Sequence, residues 1–247
     1  MSQETIISLK GVVKKFEVGE NDIAALNGVD LKISAKDFAI IYGPSGCGKS
    51  TLLNVISGLE EPTSGTVDIR GEKIYNYTED ERSKFRSDKF GIISQTSNWV
   101  KSLNVWENVA IPLVLKGATF RESKERALAV LQEVNMEEYA NLAPAKLSGG
   151  QQQRVSISRA LIRNPWIIVA DEPTGNLDTH SADLVMATFK KLNSKSRRTI
   201  IMVTHNLIYL PYATLKIGMK DGIIESHSVV EIAKELEKEV KVLKGAK

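Results

Sequence analysis

Nine consecutive residues, Gly43-Pro44-Ser45-Gly46-Cys47-Gly48-Lys49-Ser50-Thr51, have the composition of an oligophosphate cradle. Glycines let backbone N–H groups turn toward an anion, Lys49 offers a cation to β- and γ-phosphates, and the Ser50 hydroxyl suits Mg²⁺. Far downstream, Leu147-Ser148-Gly149-Gly150-Gln151 opens a second helical pattern. Ser148 is a natural N-cap and the glycines permit close backbone approach, so this helix start reads as a second anion site. Two half-sites in one chain are the result. Between the second half-site and the C-terminus, Asp171 closes an aliphatic run, where a carboxylate is costly unless it is paired or binds metal. Glu172 follows where that run ends, placed to take a proton from an attacking water.

These groups need rigid elements to hold them. Apolar runs at 38–42, 91–94, 166–170 and 199–203 are short and rich in β-branched residues, which suits strands covered on both faces in a mostly parallel α/β core. The phosphate loop leaves the first run and enters the helical pattern of Leu52, Leu53, Val55 and Ile56, the strand, loop and helix context it requires. Runs at 6–9, 26–33 and 65–69 alternate and predict an antiparallel subdomain beside the core. Segments 105–115, interrupted by Pro112, and 120–134 are helical in pattern, while 75–87 reads as a solvated helix or loop. In the tail, Val229, Ala233, Leu236, Val240 and Leu243 step by four and three, an apolar stripe for docking on its own domain or on a partner.

Thirty-three Lys and Arg against 30 Asp and Glu leave a net charge of only +3, so composition does not argue for nucleic acid. The apolar runs fall well short of the ~20 residues that cross a bilayer, and residues near Glu4 lack a secretory core, so no transmembrane segment and a cytosolic address are expected. The single cysteine, Cys47, excludes an internal disulfide and reads as a small loop side chain, with a redox sensor as the alternative.

In this order and spacing, the motifs resemble the ATP-binding cassette ATPases over roughly residues 6 to 225. The resemblance implies a P-loop NTPase of RecA-like type: an α/β, mostly parallel core with an antiparallel β subdomain and an α-helical subdomain. It implies a single cassette domain, with core at 1–95 and 147–225, helical subdomain at 96–146 and tail at 226–247. It further implies ATP and Mg²⁺ as cofactors, with Ser50, Gln95 and Asp171 toward the metal and Lys49, Gln95, Glu172 and His205 in catalysis. Gln95 matches the glutamine that reaches metal and attacking water, and His205 the histidine that hydrogen-bonds the γ-phosphate. Phe16, 27 residues before the loop, stands where the family stacks an aromatic on adenine, and Asn176-Leu177-Asp178 matches a segment that crosses the dimer interface. Ser148, Gly149, Gly150 and Gln151 would face ATP held by the opposing copy of a head-to-tail homodimer.

The wording of residues 171–178 and 147–154 resembles the branch of lipoprotein-releasing, macrolide-exporting and cell-division cassettes, which partner transmembrane permease subunits. That implies an ATP-hydrolysing subunit of a transporter or mechanotransmission complex, peripheral on the cytoplasmic membrane face. The alternatives are a soluble cassette ATPase acting on DNA or ribosomes and, more weakly, an importer ATPase. Two departures stand out. After Gln95 the branch expects a leucine, a proline and a threonine near the positions of Trp99, Lys101 and Asn104, and Asn206 replaces a common acidic residue. Trp99, Lys101 and Trp106 therefore predict a docking groove for an unusual membrane partner, with packing inside the helical subdomain as the alternative for both indoles and the expectation for Trp106, which sits on the more regular helical pattern.

Overall fold

The aliphatic runs pair as parallel strands because each buries both faces. Ile40, Ile168, Ala170, Ile200 and Met202 enter one core cluster, while their neighbours Ala39, Ile41, Ile167, Val169, Ile201 and Val203 enter another. The computed structural model describes residues 4–19, 21–96 and 98–225, so the apolar stripe from Val229 to Leu243 lies outside the described residues.

The chain begins with an antiparallel pair, β1 (Thr5–Val18) and β2 (Asn21–Ser34), followed by β3 (Phe38–Tyr42) and helix α1 (Lys49–Ile56). Strands β4 (Ser64–Ile69) and β5 (Glu72–Lys73) lead to α2 (Glu79–Lys89) and β6 (Phe90–Ile93). Helices α3 (Val105–Val114), α4 (Phe120–Glu133) and α5 (Gly149–Leu161) come next. The remainder is β7 (Ile167–Asp171), α6 (Thr179–Ser194), β8 (Thr199–Thr204), β9 (Leu215–Lys220) and β10 (Ile223–Glu225).

Two sheets result, one ordered β2-β1-β4-β5 and one ordered β10-β9-β3-β8-β7-β6. The first is antiparallel; the second is parallel from β9 to β6, with β10 antiparallel at its edge. The cluster under the antiparallel sheet holds Ile7, Leu9, Leu26 and Ile33, and the opposite one joins the parallel sheet to α3, α4, α5 and α6. Strand β9 escaped the sequence reading because Lys216 and Gly218 interrupt its apolar residues and only Ile217, Gly218 and Met219 are buried, and β10 is only three residues long with no buried position.

Segment 75–87, expected as a solvated helix or loop, contains both: a 3-10 turn at Ile74–Asn76 leads into α2, which is capped by Thr78 and Glu81, and the segment is better anchored than its charge suggests. The Tyr75 hydroxyl lies 2.6 Å from both the Val55 and Glu60 carbonyls, which share its one hydrogen, and burial pushes that phenol well above its usual range. Arg82 is buried between Glu61 and Glu79.

Candidate functional site

The loop between β3 and α1 is wedged between the two sheets. A Cβ on Gly43 would lie 2.1 Å from the Met219 carbonyl of β9, and one on Gly48 would lie 2.3 Å from the Ala25 carbonyl of β2. Gly48 also takes φ +100° as the residue that opens α1, a conformation open to glycine alone at low cost. Cys47 is buried beneath the loop and its carbonyl accepts from Gly222 N, which fits the small loop side chain expected. Lys49 turns inward: its Nζ donates to the carbonyls of Gly43 at 2.9 Å and Pro44 at 2.8 Å.

Across from the loop, strand ends supply the carboxylates. A cavity of about 280 Å³ is lined by Ser45, Lys49, Ser50 and Thr51 on one side and by Glu172 and His205 on the other. The Ser50 hydroxyl donates to Asp171 Oδ1 at 3.1 Å, joining the start of α1 to the end of β7. Burial raises the pKa of Asp171, and the charge of Glu172 raises it further, against opposing effects of the Ser50 hydrogen bond and Lys49. Such a carboxylate gains from a cation, so this donor set fits Mg²⁺, which takes one or two carboxylates or hydroxyls plus phosphates and waters.

Glu172 is held in a conformation its side chain does not choose. Its φ is +46°, its amide donates to the Val203 carbonyl at 3.0 Å, and its Oε1 accepts from both His205 N (3.0 Å) and His205 Nδ1 (2.8 Å). Oε2 is buried with no hydrogen-bond partner. Left-handed backbone at a non-glycine residue costs about 1–3 kcal/mol and concentrates where function requires it. Gln95 sits close by: its Nε2 would lie 3.3 Å from a Cβ on Gly175, in the turn that follows Glu172.

The second half-site stands apart from the cavity. Ser148 caps α5 through a reciprocal box with Gln151, and Ser148 and Gly149 are exposed. Gly150 has a role that sequence reading missed, since a Cβ there would meet Ser181 Cβ at 2.7 Å on the first turn of α6. No motif marks Ser181; only the crossing of two helix starts reveals it. Phe16 is likewise outside the cavity, on β1 opposite Ile23, 38% exposed with the Lys14 amine 4.9 Å from its ring centre.

Of the two tryptophans, Trp106 packs inside the helical subdomain, as its regular helical setting predicted. Trp106 is 5% exposed and packs edge-on against Phe120, and Trp99 is half-buried against α5, where its indole N–H donates to Gln152. Trp106 belongs to the core of the helical subdomain, whereas Trp99 packs against it only in part and lines, with Asn98, Lys101, Pro144 and Ala145, a cavity of about 390 Å³. The other departures are caps: Asn104 opens α3 with Glu107, and Asn206 Oδ1 accepts from Ile208 N at the turn after β8.

A phosphate loop at the end of a parallel strand, facing a hydroxyl–carboxylate pair and a strained glutamate, defines a P-loop nucleoside triphosphatase. The profile of the ABC transporter family matches residues 26–175, and the chain belongs to that family as an ATP-binding, ATP-hydrolysing cassette. It is 45% identical over 224 residues to the ABC transporter ATP-binding protein MJ0796 of Methanocaldococcus jannaschii, covering 89% of this chain and 95% of that one. The dimeric structure of MJ0796 in a post-hydrolysis state, bound to ADP and Pi, superposes with a TM-score of 0.82 over 90% of this chain and 98% of that one, at 41% identity. The lipoprotein-releasing system ATP-binding protein LolD of Buchnera aphidicola is 36% identical over 90% of this chain and 97% of its own length. The macrolide export ATP-binding/permease protein MacB of Syntrophobacter fumaroxidans is 40% identical over 90% of this chain, which spans only 32% of that protein. The chain falls in the branch that holds these cassettes, and no helix among the described residues is long and apolar enough to cross a membrane.

Proposed function

We propose that two copies of this chain, each a single cassette domain, close head to tail over two ATP molecules. Each nucleotide lies between residues 43–51 of one copy and Ser148, Gly149, Gly150 and Gln151 of the other. The dimer is supported by the exposed helix start at Ser148 and Gly149, which stands apart from the cavity of its own chain. The observation that carries hydrolysis is the state of Glu172: Oε1 is pinned by His205, while Oε2 is buried without a partner beside the phosphate loop. A carboxylate so divided is oriented by one oxygen and has the other available for a proton.

In this reading Lys49 leaves the Gly43 and Pro44 carbonyls for the β- and γ-phosphates, and Glu172 takes the proton of the attacking water. His205 holds Glu172 in place and hydrogen-bonds the γ-phosphate. Mg²⁺, held through Ser50, Asp171 and Gln95, would neutralise charge developing on the transferred phosphoryl group. Phe16 offers its exposed face to the adenine. Dimer closure and reopening then drive transmembrane permease subunits on the cytoplasmic face of the membrane, as the names of LolD and MacB suggest for their own systems.

The test is Glu172→Gln. It should retain ATP binding, lose about 10²–10⁴ in turnover, and accumulate as an ATP-dependent dimer on size exclusion. Near-normal turnover would refute the assignment.

A further inference from the structure

The half-buried Trp99 lies four residues beyond Gln95 in sequence and touches α5 at two points one heptad apart. Its Nε1 donates to Gln152 Oε1 at 3.0 Å, and the Arg159 guanidinium lies 4.7 Å from its ring centre while donating to the Asn98 carbonyl at 2.8 Å. The Gln152 amide continues the path, since its Nε2 donates at 3.1 Å to the carbonyl of Leu147, the residue before Ser148. Its backbone N–H also donates to the Ser148 carbonyl at 2.9 Å. An indole N–H can only donate, so it selects the oxygen of the Gln152 amide and leaves the nitrogen for Leu147. Turning that amide over would set donor against donor and acceptor against acceptor.

We infer that Trp99 is a positioning residue for Ser148: acting through Gln152, it fixes the backbone that presents the second half-site to the nucleotide of the opposing copy. Asn108 makes the anchor rigid by gripping the segment after Trp99: its Oδ1 accepts from Val100 N at 2.9 Å, and the two hydrogens of its Nδ2 are shared among the carbonyls of Val100, Leu103 and Asn104, all within 3.1 Å. The inference rests on the head-to-tail reading and deepens it, because a residue remote from the phosphate loop then governs closure without touching nucleotide.

The experiment uses the full chain carrying Glu172→Gln, with dimer fraction followed by sedimentation as Mg-ATP is raised. Fluorescent-ATP binding is measured separately at dilutions where the chain is monomeric. Trp99→Phe keeps a ring and removes the N–H; Gln152→Met keeps length and removes both amide contacts. Each should leave monomer affinity unchanged and raise the ATP concentration for half-dimerisation about three- to tenfold, the range for one net hydrogen bond. The double variant should shift no further than the larger single, because both break one path. Additive shifts, a parallel fall in monomer affinity, or unaltered dimerisation of both variants would overturn the assignment while leaving the head-to-tail reading intact. A parent that forms no ATP-dependent dimer would overturn both.

Discussion

Gly150→Ala separates packing from ligand approach at the second half-site. The added methyl would sit 2.7 Å from Ser181 Cβ and 2.9 Å from its Oγ, well inside contact distance, with backbone behind it at 3.4 Å. Overpacking of this kind costs about 1–3 kcal/mol, and replacing a helical glycine by alanine returns nearly 1 kcal/mol. About 1 kcal/mol of destabilisation remains, which for a chain of this size lowers the melting temperature by about 2–4 °C. Ser181→Gly removes the obstacle but itself costs about 0.5 kcal/mol in the first turn of α6. The thermal melts of both singles and the double variant then form a cycle, and the double should be more stable than the sum of the singles by the full overpacking term, about 2 kcal/mol. Melting of Gly150→Ala at or above the parent temperature, with no coupling to Ser181, would refute the packing argument. Gly150 would then serve only the approach of phosphate.

Lys49→Ala should weaken ATP binding itself, since it removes a charge-assisted phosphate contact, and direct titration with nucleotide reads the loss. Asp171→Asn should raise the melting temperature of the nucleotide-free protein at neutral pH. The folded pKa of Asp171 is raised, so its contribution to stability is favourable below its unfolded pKa and is lost as pH rises through the folded value; the gain from asparagine should therefore vanish in acid. Added Mg-ATP should reverse the ranking, stabilising the parent more than the variant. Gly48→Ala should destabilise the loop even without ligand, because both φ +100° and the Ala25 carbonyl oppose a side chain, and hydrogen exchange across 43–51 would detect it. A mixture of Ser148→Arg and Lys49→Ala chains should recover ATPase activity above either alone, since one composite site per heterodimer keeps both half-sites; an inactive mixture counts against action in trans.

The sequence by itself determined the local chemistry. The phosphate loop, the Ser148 cap, the carboxylates at 171 and 172 and the β-branched strands were legible because each is a short-range pattern: a φ that only glycine accepts, a hydroxyl three residues before a free N–H, or an apolar run of strand length. Tertiary structure alone decided which distant groups meet. Ser50 reaches Asp171 across 121 positions and His205 pins Glu172 across 33, contacts that follow from β3, β8 and β7 lying side by side. It also decided the fate of the tryptophans, because an indole's preference for water or core depends on whether a partner stands within reach of its N–H, and for Trp99 that partner, Gln152, lies 53 residues away. The glycine at 150 makes the same point from the other direction, its lack of a side chain being required by a serine on another helix rather than by its own backbone.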